Sequence, residues 1–304
     1  MSSIPGYKGD INPTPGHGET RISIYLYRPW FGGAIAGAVT FGIVLCVQLF
    51  FLFKYKRTRW FHGLLALGSL MEVGGYAARI RGHANQFLIN VFIVQYFLIV
   101  VAPIPIAAAI YLVLTYASKR FPNGRSLLAM RPNWILWFFV LMDVATIAVQ
   151  VCGAALVGIV YSKQARGEST PVTTETANNI LRAGLAVQTA SFTGFLFLLV
   201  VAIFRTKKLA LPADQHRNIR RLLCLNLLTA LLVLLRTVYR LAVEIEGYFG
   251  SANQSQILFT CLEYLPVILA LALFSIVPIA SFFPREDQAG EHVPMEPFTV
   301  KDTY

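Results

Sequence analysis

The stretch WFGGAIAGAVTFGIVLCVQLFFLFKYKRTR (residues 30–59) runs for 24 residues without an ionised side chain and then carries Lys54, Lys56, Arg57 and Arg59. A helix of roughly 20 apolar residues is long enough to cross the hydrocarbon core of a bilayer. Seven apolar stretches near or above that length divide the chain, at roughly 30–53, 60–78, 86–117, 134–161, 180–204, 222–245 and 257–283. This pattern predicts an all-α polytopic membrane protein with a bundle of seven transmembrane helices.

The composition agrees with a protein whose solvent is mostly lipid. Of its 304 residues, 56% are hydrophobic and only 13% are charged, whereas a soluble domain carries about 25% charged residues. The predicted bundle occupies residues 30–283. We expect residues 1–29 and 284–304 to be tails, and no soluble domain of ordinary size has room beside the bundle.

The positive charge is placed unevenly along the chain. The first, third and fifth connectors carry fourteen Lys and Arg residues, and the second, fourth and sixth carry four. Because basic connectors stay in the cytoplasm during insertion, the N-terminal tail is predicted to be extracellular and the C-terminal tail cytoplasmic. A patch that binds lipid head groups or nucleic acid is the alternative explanation for the net charge of +11. Since the charge follows the connectors, we predict no nucleic-acid partner.

Several polar side chains fall inside the predicted spans, where an ionisable group costs at least about 2.5 kcal/mol by insertion scales. They either pair with one another or contact a substrate or a proton. Arg240 and Glu244 have the spacing of an intrahelical ion pair, and Asp143 is expected to pair with Arg236 or Arg240. The candidate substrate-binding or coupling residues are Glu72, Tyr76, Gln95, Asp143, Gln150, Gln188, Arg236, Arg240, Glu244 and Glu263.

Prolines interrupt two of the predicted spans. Pro103 and Pro105 lie within the third, and Pro266 lies within the seventh. A proline inside a helix removes a backbone hydrogen bond and kinks the helix. The three residues are candidate hinges beside a cavity, and simple bending of the helix is the alternative.

Motifs of soluble enzymes and of cofactor proteins do not occur in the sequence. There is no GxxxxGK[ST] phosphate loop and no GxSxG elbow, and the seventh span has no lysine for a retinal Schiff base. All five histidines lie at or beyond the ends of the predicted spans, which leaves no intramembrane histidine cluster to hold zinc. We therefore predict a protein that is not an enzyme and has neither a cofactor nor a metal.

The motifs inside the spans resemble the fungal lipid-translocating exporter family, the RTA-like (resistance-to-aminocholesterol) proteins. The likeness extends over about residues 25–283. Its elements are Glu72-Val73-Gly74-Gly75-Tyr76-Ala77-Ala78-Arg79, Gln95-Tyr96, Ala102-Pro103, Ala109-Ile110-Tyr111, Asp143 with Gln150 and Gly153, Gly184-Leu185 with Gln188, and Arg236-Thr237-Val238-Tyr239-Arg240 with Glu244 and Gly247. The seventh span departs from the family pattern Glu-x-x-x-Tyr-x-x-Asp-x-x-Pro, with Gln256, Thr260, Glu263 and Pro266 at those places.

The resemblance implies export of lipid-like amphiphiles, such as sphingoid bases or sterol-like compounds, and resistance to them. It also implies a plasma-membrane location, with the vacuole or endoplasmic reticulum as alternatives. From the residues, we expect an amphiphile between the kinked third and seventh spans, with a cationic head drawn to Glu72, Asp143 and Glu263. The partners are then membrane lipids or amphiphilic small molecules, and the sequence specifies no oligomeric state. The alternatives are a lipid sensor or receptor, and a regulator of lipid asymmetry that transports nothing itself.

Overall fold

The computed structural model of the chain describes residues 12–14, 16, 19, 30–128, 130–165, 173–247 and 255–283. These residues form helices and connectors, with one isolated bridge between Glu19 and Leu88. Short 3-10 turns occupy Lys56–Thr58, Gly124–Leu127 and Ile279–Phe282. The helices are α1 (Phe31–Lys54), α2 (Arg59–Ala84), α3 (Ile89–Val101), α4 (Pro103–Arg120), α5 (Pro132–Ala165), α6 (Thr174–Thr206), α7 (Ala213–Glu246) and α8 (Gln256–Ile276).

Among the described residues, six helical segments are long and apolar enough to cross a membrane, so the protein is an integral multi-pass membrane protein. The segments are Phe31–Lys54, Asn90–Arg120, Pro132–Leu156, Glu175–Thr206, Ala213–Glu246 and Gln256–Ile276. Helix α2 is not among them, although its 26 residues would extend for about 39 Å at 1.5 Å per residue. Its composition is too polar, because its buried face carries His62, Ser69, Glu72 and Arg79.

The helices surround α4, which lies at the centre of the bundle. Helix α4 packs against α2, α5 and α7, while α1 packs on α2, α5 on α6, α6 on α7, and α8 on both α1 and α7. Small side chains at Ala107, Ala108 and Ala109 let the neighbouring helices approach α4 closely. On the outside of the bundle, large apolar side chains such as Phe53, Phe197 and Ile257 are exposed. Such exposure is expected where the surrounding solvent is lipid.

Two of the predicted hinge prolines coincide with interruptions of the helices. The third predicted span is divided at Ala102 into α3 and α4, and Pro103 is the first residue of α4. In α8, a π-helical turn, Phe259–Tyr264, comes just before Pro266. Pro105 lies in the first turn of α4, where a missing N–H does little harm. Hinge motion at these residues stays a prediction.

Candidate functional site

Five of the predicted site residues meet between α2, α7 and α8, and we call them the arginine–glutamate cluster: Glu72, Tyr76, Arg236, Arg240 and Glu263. Arg236 and Arg240 lie four residues apart on α7, so both guanidinium groups point from one face. Arg236 Nη2 lies 2.5 Å from Glu263 Oε1. Arg240 donates from Nε to Glu263 Oε2 at 2.7 Å and from Nη2 to Glu263 Oε1 at 2.8 Å. Glu263 is therefore a buried carboxylate held by two cations.

Arg236 also connects the two helix interruptions. Because Pro103 has no N–H, the carbonyl of Ile99, four residues earlier, loses its usual helical donor. Arg236 Nη2 donates to that carbonyl at 2.5 Å. The same guanidinium binds Glu263, which lies in the π-helical turn before Pro266. One side chain thus satisfies the backbone at the α3–α4 break and pairs with the acid at the α8 break.

Three polar groups of the cluster are buried without a hydrogen-bond partner: Glu72 Oε1, the Tyr76 hydroxyl and Arg236 Nε. They belong together, because Glu72 interacts electrostatically with Arg236, Arg240 and Glu263, and Tyr76 interacts with Glu72 and Arg236. Burying such a group unpaired costs about 1–3 kcal/mol. The set comprises one acceptor, one N–H donor and one hydroxyl that can do both, which is the pattern of a site for a polar head group.

The electrostatics of the cluster differ from the acid-lined pocket expected from the sequence. Two arginines accompany the two acids, so Glu263 is already neutralised and is not available to a cationic head. A third arginine, Arg79, is buried nearby with its guanidinium 4.4 Å from the ring centre of Phe259. Among the five residues of the cluster, Glu72 is the acid that retains an unbonded carboxylate oxygen.

Asp143 lies elsewhere, between α4 and α5. Its Oδ2 accepts a hydrogen bond of 2.8 Å from the Tyr111 hydroxyl, and the Tyr111 ring packs against Phe139, Phe192 and Phe195. The expected pairing of Asp143 with Arg236 or Arg240 is wrong, because both arginines bind Glu263. Asp143 interacts with Tyr111, and it is not among the groups that interact electrostatically with Glu72 or Glu263, so the structure does not bring the three acids together as the sequence predicted.

The remaining predicted site residues occupy three further places. Gln150 donates to Gln188 at 2.7 Å and joins α5 to α6. Gln95 is buried on α3. The predicted Arg240–Glu244 ion pair is wrong for the described residues, since Arg240 reaches across to Glu263. The backbone carbonyl of Glu244 instead accepts a hydrogen bond from Arg182 at 3.0 Å.

Two open cavities lie at the ends of the bundle. One, of about 370 Å³, is lined by residues that include Glu19, His83 and Asn85. The other, of about 350 Å³, is lined by residues that include Lys119 and Arg125. The arginine–glutamate cluster lines neither cavity, and the Arg240 side chain is its partly exposed member.

Two buried polar residues were missed as site residues by the sequence analysis. Tyr111 was noted only as part of a family-like motif, yet it is the hydrogen-bond donor to Asp143. His62 was placed at the end of a span, yet it is fully buried and its Nδ1 lies 2.8 Å from Gln48 Oε1. The sequence signal for the His62–Gln48 pair is Gln48 itself, an amide within the mostly apolar helix α1.

Comparison with known proteins supplies the chain's relationships. The family described as "RTA1 like protein" matches residues 65–286. Protein RTA1 of Saccharomyces cerevisiae is 25% identical over 294 residues, which cover 88% of this chain and 89% of that protein. Protoporphyrin uptake protein 1 of the same species is 27% identical over 219 residues, covering 71% of this chain and 67% of the relative.

A further relative in Saccharomyces cerevisiae is named sphingoid long-chain base transporter RSB1. It is 29% identical over 167 residues, which cover 55% of this chain. The match spans 41% of the length of that transporter, less than half of it. No solved structure matches the chain.

Proposed function

Since this chain belongs to the RTA1-like protein family, we propose that it is a membrane transporter that moves lipid-like amphiphiles across or out of the bilayer and confers resistance to them. Two relatives carry names that support a transport role, one for sphingoid long-chain bases and one for protoporphyrin uptake. The substrate class proposed for this chain is a sphingoid-base-like amphiphile, with sterol-like compounds as the second class. Neither catalysis nor a nucleic-acid partner is part of this proposal.

The observation that carries the proposal is the unsatisfied set in the arginine–glutamate cluster. The head of a long-chain amino alcohol offers an ammonium group and at least one hydroxyl. The ammonium group can donate to Glu72 Oε1, and a hydroxyl oxygen can accept from Arg236 Nε–H. The Tyr76 hydroxyl can bond to either group. A sterol hydroxyl could also donate to Glu72 Oε1 and accept from the other two groups, but it carries no positive charge to match a carboxylate. This is why we place the amino alcohol first.

We propose further that α2 is the seventh crossing of the membrane. It packs along α1 and α3 and against α4, and its polar side chains face the bundle interior. With seven crossings the termini would lie on opposite faces, and the basic connectors favour an extracellular N-terminus and a cytoplasmic C-terminus. The plasma membrane is the proposed location, because a protein that removes toxic amphiphiles acts most directly there.

The test is transport by the purified protein in liposomes, followed with a fluorescent long-chain amino alcohol. We expect wild-type liposomes to move the probe faster than empty liposomes. Glu72→Gln should reduce the rate by at least about tenfold, since losing a charge-assisted contact costs roughly 1.5–3 kcal/mol. Glu175→Gln is the matched control: it makes the same chemical change at an exposed acid in the first turn of α6 and should leave the rate within about twofold.

The outcomes separate the candidate functions. Wild-type liposomes no faster than empty ones would contradict transport by this chain alone. If those liposomes still bound the probe, a sensor or receptor would be the better description. If they did not bind it, a regulator acting through other transporters would remain.

A further inference from the structure

A second polar site lies at the other end of α2, at the end of the bundle that carries the basic connectors. His62 is in the first turns of α2 and is fully buried. Its Nδ1 lies 2.8 Å from Gln48 Oε1 on α1. Gln48 Nε2 donates to Ser275 Oγ on α8 at 3.0 Å. The chain of contacts joins α1, α2 and α8, and the transport function proposed above does not use it.

The hydrogen bonds decide which imidazole nitrogen carries the proton. The Ser275 hydroxyl donates to the Leu271 carbonyl at 2.9 Å, so its oxygen accepts from the Gln48 amide N–H. This orients Gln48 Oε1 toward His62, and an amide oxygen can only accept. Nδ1 of His62 must then be the donor. Nε2 is left with a free lone pair, and it is buried without a hydrogen-bond partner.

In the part of the chain that the structure describes, aromatic rings surround His62 and no acid contacts it. Its ring centre lies 5.3 Å from that of Phe51, 5.1 Å from that of Phe61 and 6.1 Å from that of Tyr55. Tyr55 is the titratable side chain in ring contact. The cations nearby in the chain are Lys54, Lys56, Arg57 and Arg59, and Arg120 of α4 reaches the Arg57 carbonyl.

Asp and Glu do not occur in α1, in α4 or in residues 265–283. The acid of α2, Glu72, is ten residues from His62, and the acid of α8 is Glu263. Among the residues that the structure describes, a protonated His62 would therefore have no counter-ion in the closed packing, and the charged residues nearest to it in the chain are cations. A buried charge without a partner is strongly unfavourable, so protonation favours a conformation in which the ring reaches water.

We propose that His62 Nε2 is a proton-binding site, and that a proton bound there from the cytoplasmic side releases the inner ends of α1, α2 and α8. The proton adds to the lone pair to give an imidazolium, and it returns to water when the ring is deprotonated; no other bond changes. This inference rests on the proposed transport function for its consequence, which is a transport rate that rises as the cytoplasmic pH falls.

The first experiment measures probe transport while the pH at the cytoplasmic face is varied from about 7.5 to about 5.5, where histidine ordinarily titrates. We expect the wild-type rate to rise by about three- to tenfold per pH unit, because one bound proton changes an equilibrium by at most about tenfold per unit. His62→Phe fills the aromatic site without a titratable group and should give a flat profile. His216→Phe, the matched control in the first turn of α7, should keep the wild-type profile.

A second variant supplies the missing counter-ion. Gln48→Glu places a carboxylate against Nδ1, so the imidazolium becomes stable in the closed packing. Its transport rate should stay low across the whole pH range. A wild-type profile in both His62→Phe and Gln48→Glu would overturn the proposal.

A third measurement works even if the chain moves no probe. Amide hydrogen exchange of residues 45–66, corrected for the intrinsic effect of pH, should accelerate in the wild type as the pH falls and stay constant in His62→Phe. Equal exchange in the two proteins would contradict the proton site. The exchange measurement tests the proton site independently of transport. If the chain moves no probe but its exchange depends on pH as expected, the proposed transport function is refuted and the proton site is supported.

Discussion

Glu263 and Asp143 are both buried to the same extent, with about 2% of each residue exposed, yet they are accommodated in different ways. Glu263 is held by two arginines of α7 and joins that helix to α8. Asp143 receives one hydrogen bond from a tyrosine, and aromatic rings surround that tyrosine. An acid held by cations depends on its charge, whereas an acid held by a hydroxyl depends on hydrogen-bond geometry. Removal of the charge should therefore destabilise the protein much more at Glu263 than at Asp143.

The largest expected effect follows from replacing Glu263 with leucine. The substitution leaves Arg236 and Arg240 buried without their shared partner, and breaking such a pair costs about 3–5 kcal/mol. We expect the free energy of unfolding in detergent to fall by that amount. Asp143→Asn is the matched comparison: it keeps an oxygen for Tyr111 and should change stability by no more than about 1 kcal/mol. Equal losses of unfolding free energy in Glu263→Leu and Asp143→Asn would contradict the claim that the two acids are held in different ways.

The same comparison predicts that the ion pairs are dispensable for folding. Replacing Arg236, Arg240 and Glu263 together by methionine removes all three charges at once. Substitutions of this kind have been neutral or stabilising elsewhere, by about 1–4 kcal/mol. We expect the triple variant to regain most of the stability that Glu263→Leu loses, while probe transport in liposomes is abolished. Full transport by the triple variant would exclude the cluster as the head-group site.

A smaller effect is expected at the Asp143 site. Tyr111→Phe leaves Asp143 Oδ2 buried without its donor, at a cost of about 1–3 kcal/mol. Combining Tyr111→Phe with Asp143→Leu should cost less than the sum of the two single changes, because the double variant has no unpaired polar group. Thermal unfolding of the four proteins in one detergent measures this coupling. Strict additivity would show that the hydrogen bond contributes nothing.

The smallest expected effect concerns an acid outside the membrane. Hydrogen bonds from the Gly16 amide and then from Asn85 and Asn12 hold the pKa of Glu19 below its ordinary value of 4.5. Because the folded-state pKa is lowered, this attachment is intact above about pH 4.5 and is lost as the pH falls through the folded value. A pair of distance labels at the exposed neighbouring positions 14 and 84 should show that the two segments separate only in strong acid. In Asn85→Ala, separation should begin at a higher pH than in the wild type.

The sequence predicted the helical membrane fold well, because an apolar stretch long enough to cross a bilayer is typical of a transmembrane helix. It also found the residues of the arginine–glutamate cluster, since ionisable groups inside spans are costly and must be accommodated. It could not predict which acid meets which arginine, because helix spacing reports contacts within a helix and not the rotation of neighbouring helices. The Arg240–Glu263 pair replaced the expected Arg240–Glu244 pair for that reason.

Helix α2 shows most clearly which features cannot be predicted from the sequence alone. Its polar side chains lower its hydropathy below that of the other long helices, and the same side chains fill its buried face. Position in the bundle, and not composition, shows that His62 is buried at one end and Glu72 near the middle. Uncharged partners such as Gln48 and Tyr111 carry no strong signal in a single sequence, although each completes a buried hydrogen bond.

The most direct measurement is the rise in unfolding temperature that a long-chain amino alcohol produces in the purified protein. A ligand that binds the folded state alone raises its stability according to its affinity. We expect the wild type and Asp143→Asn to be stabilised alike and Glu72→Gln to gain little or nothing. Stabilisation that survives in Glu72→Gln and disappears in Asp143→Asn would place the head group at the tyrosine-bound acid and contradict the assignment.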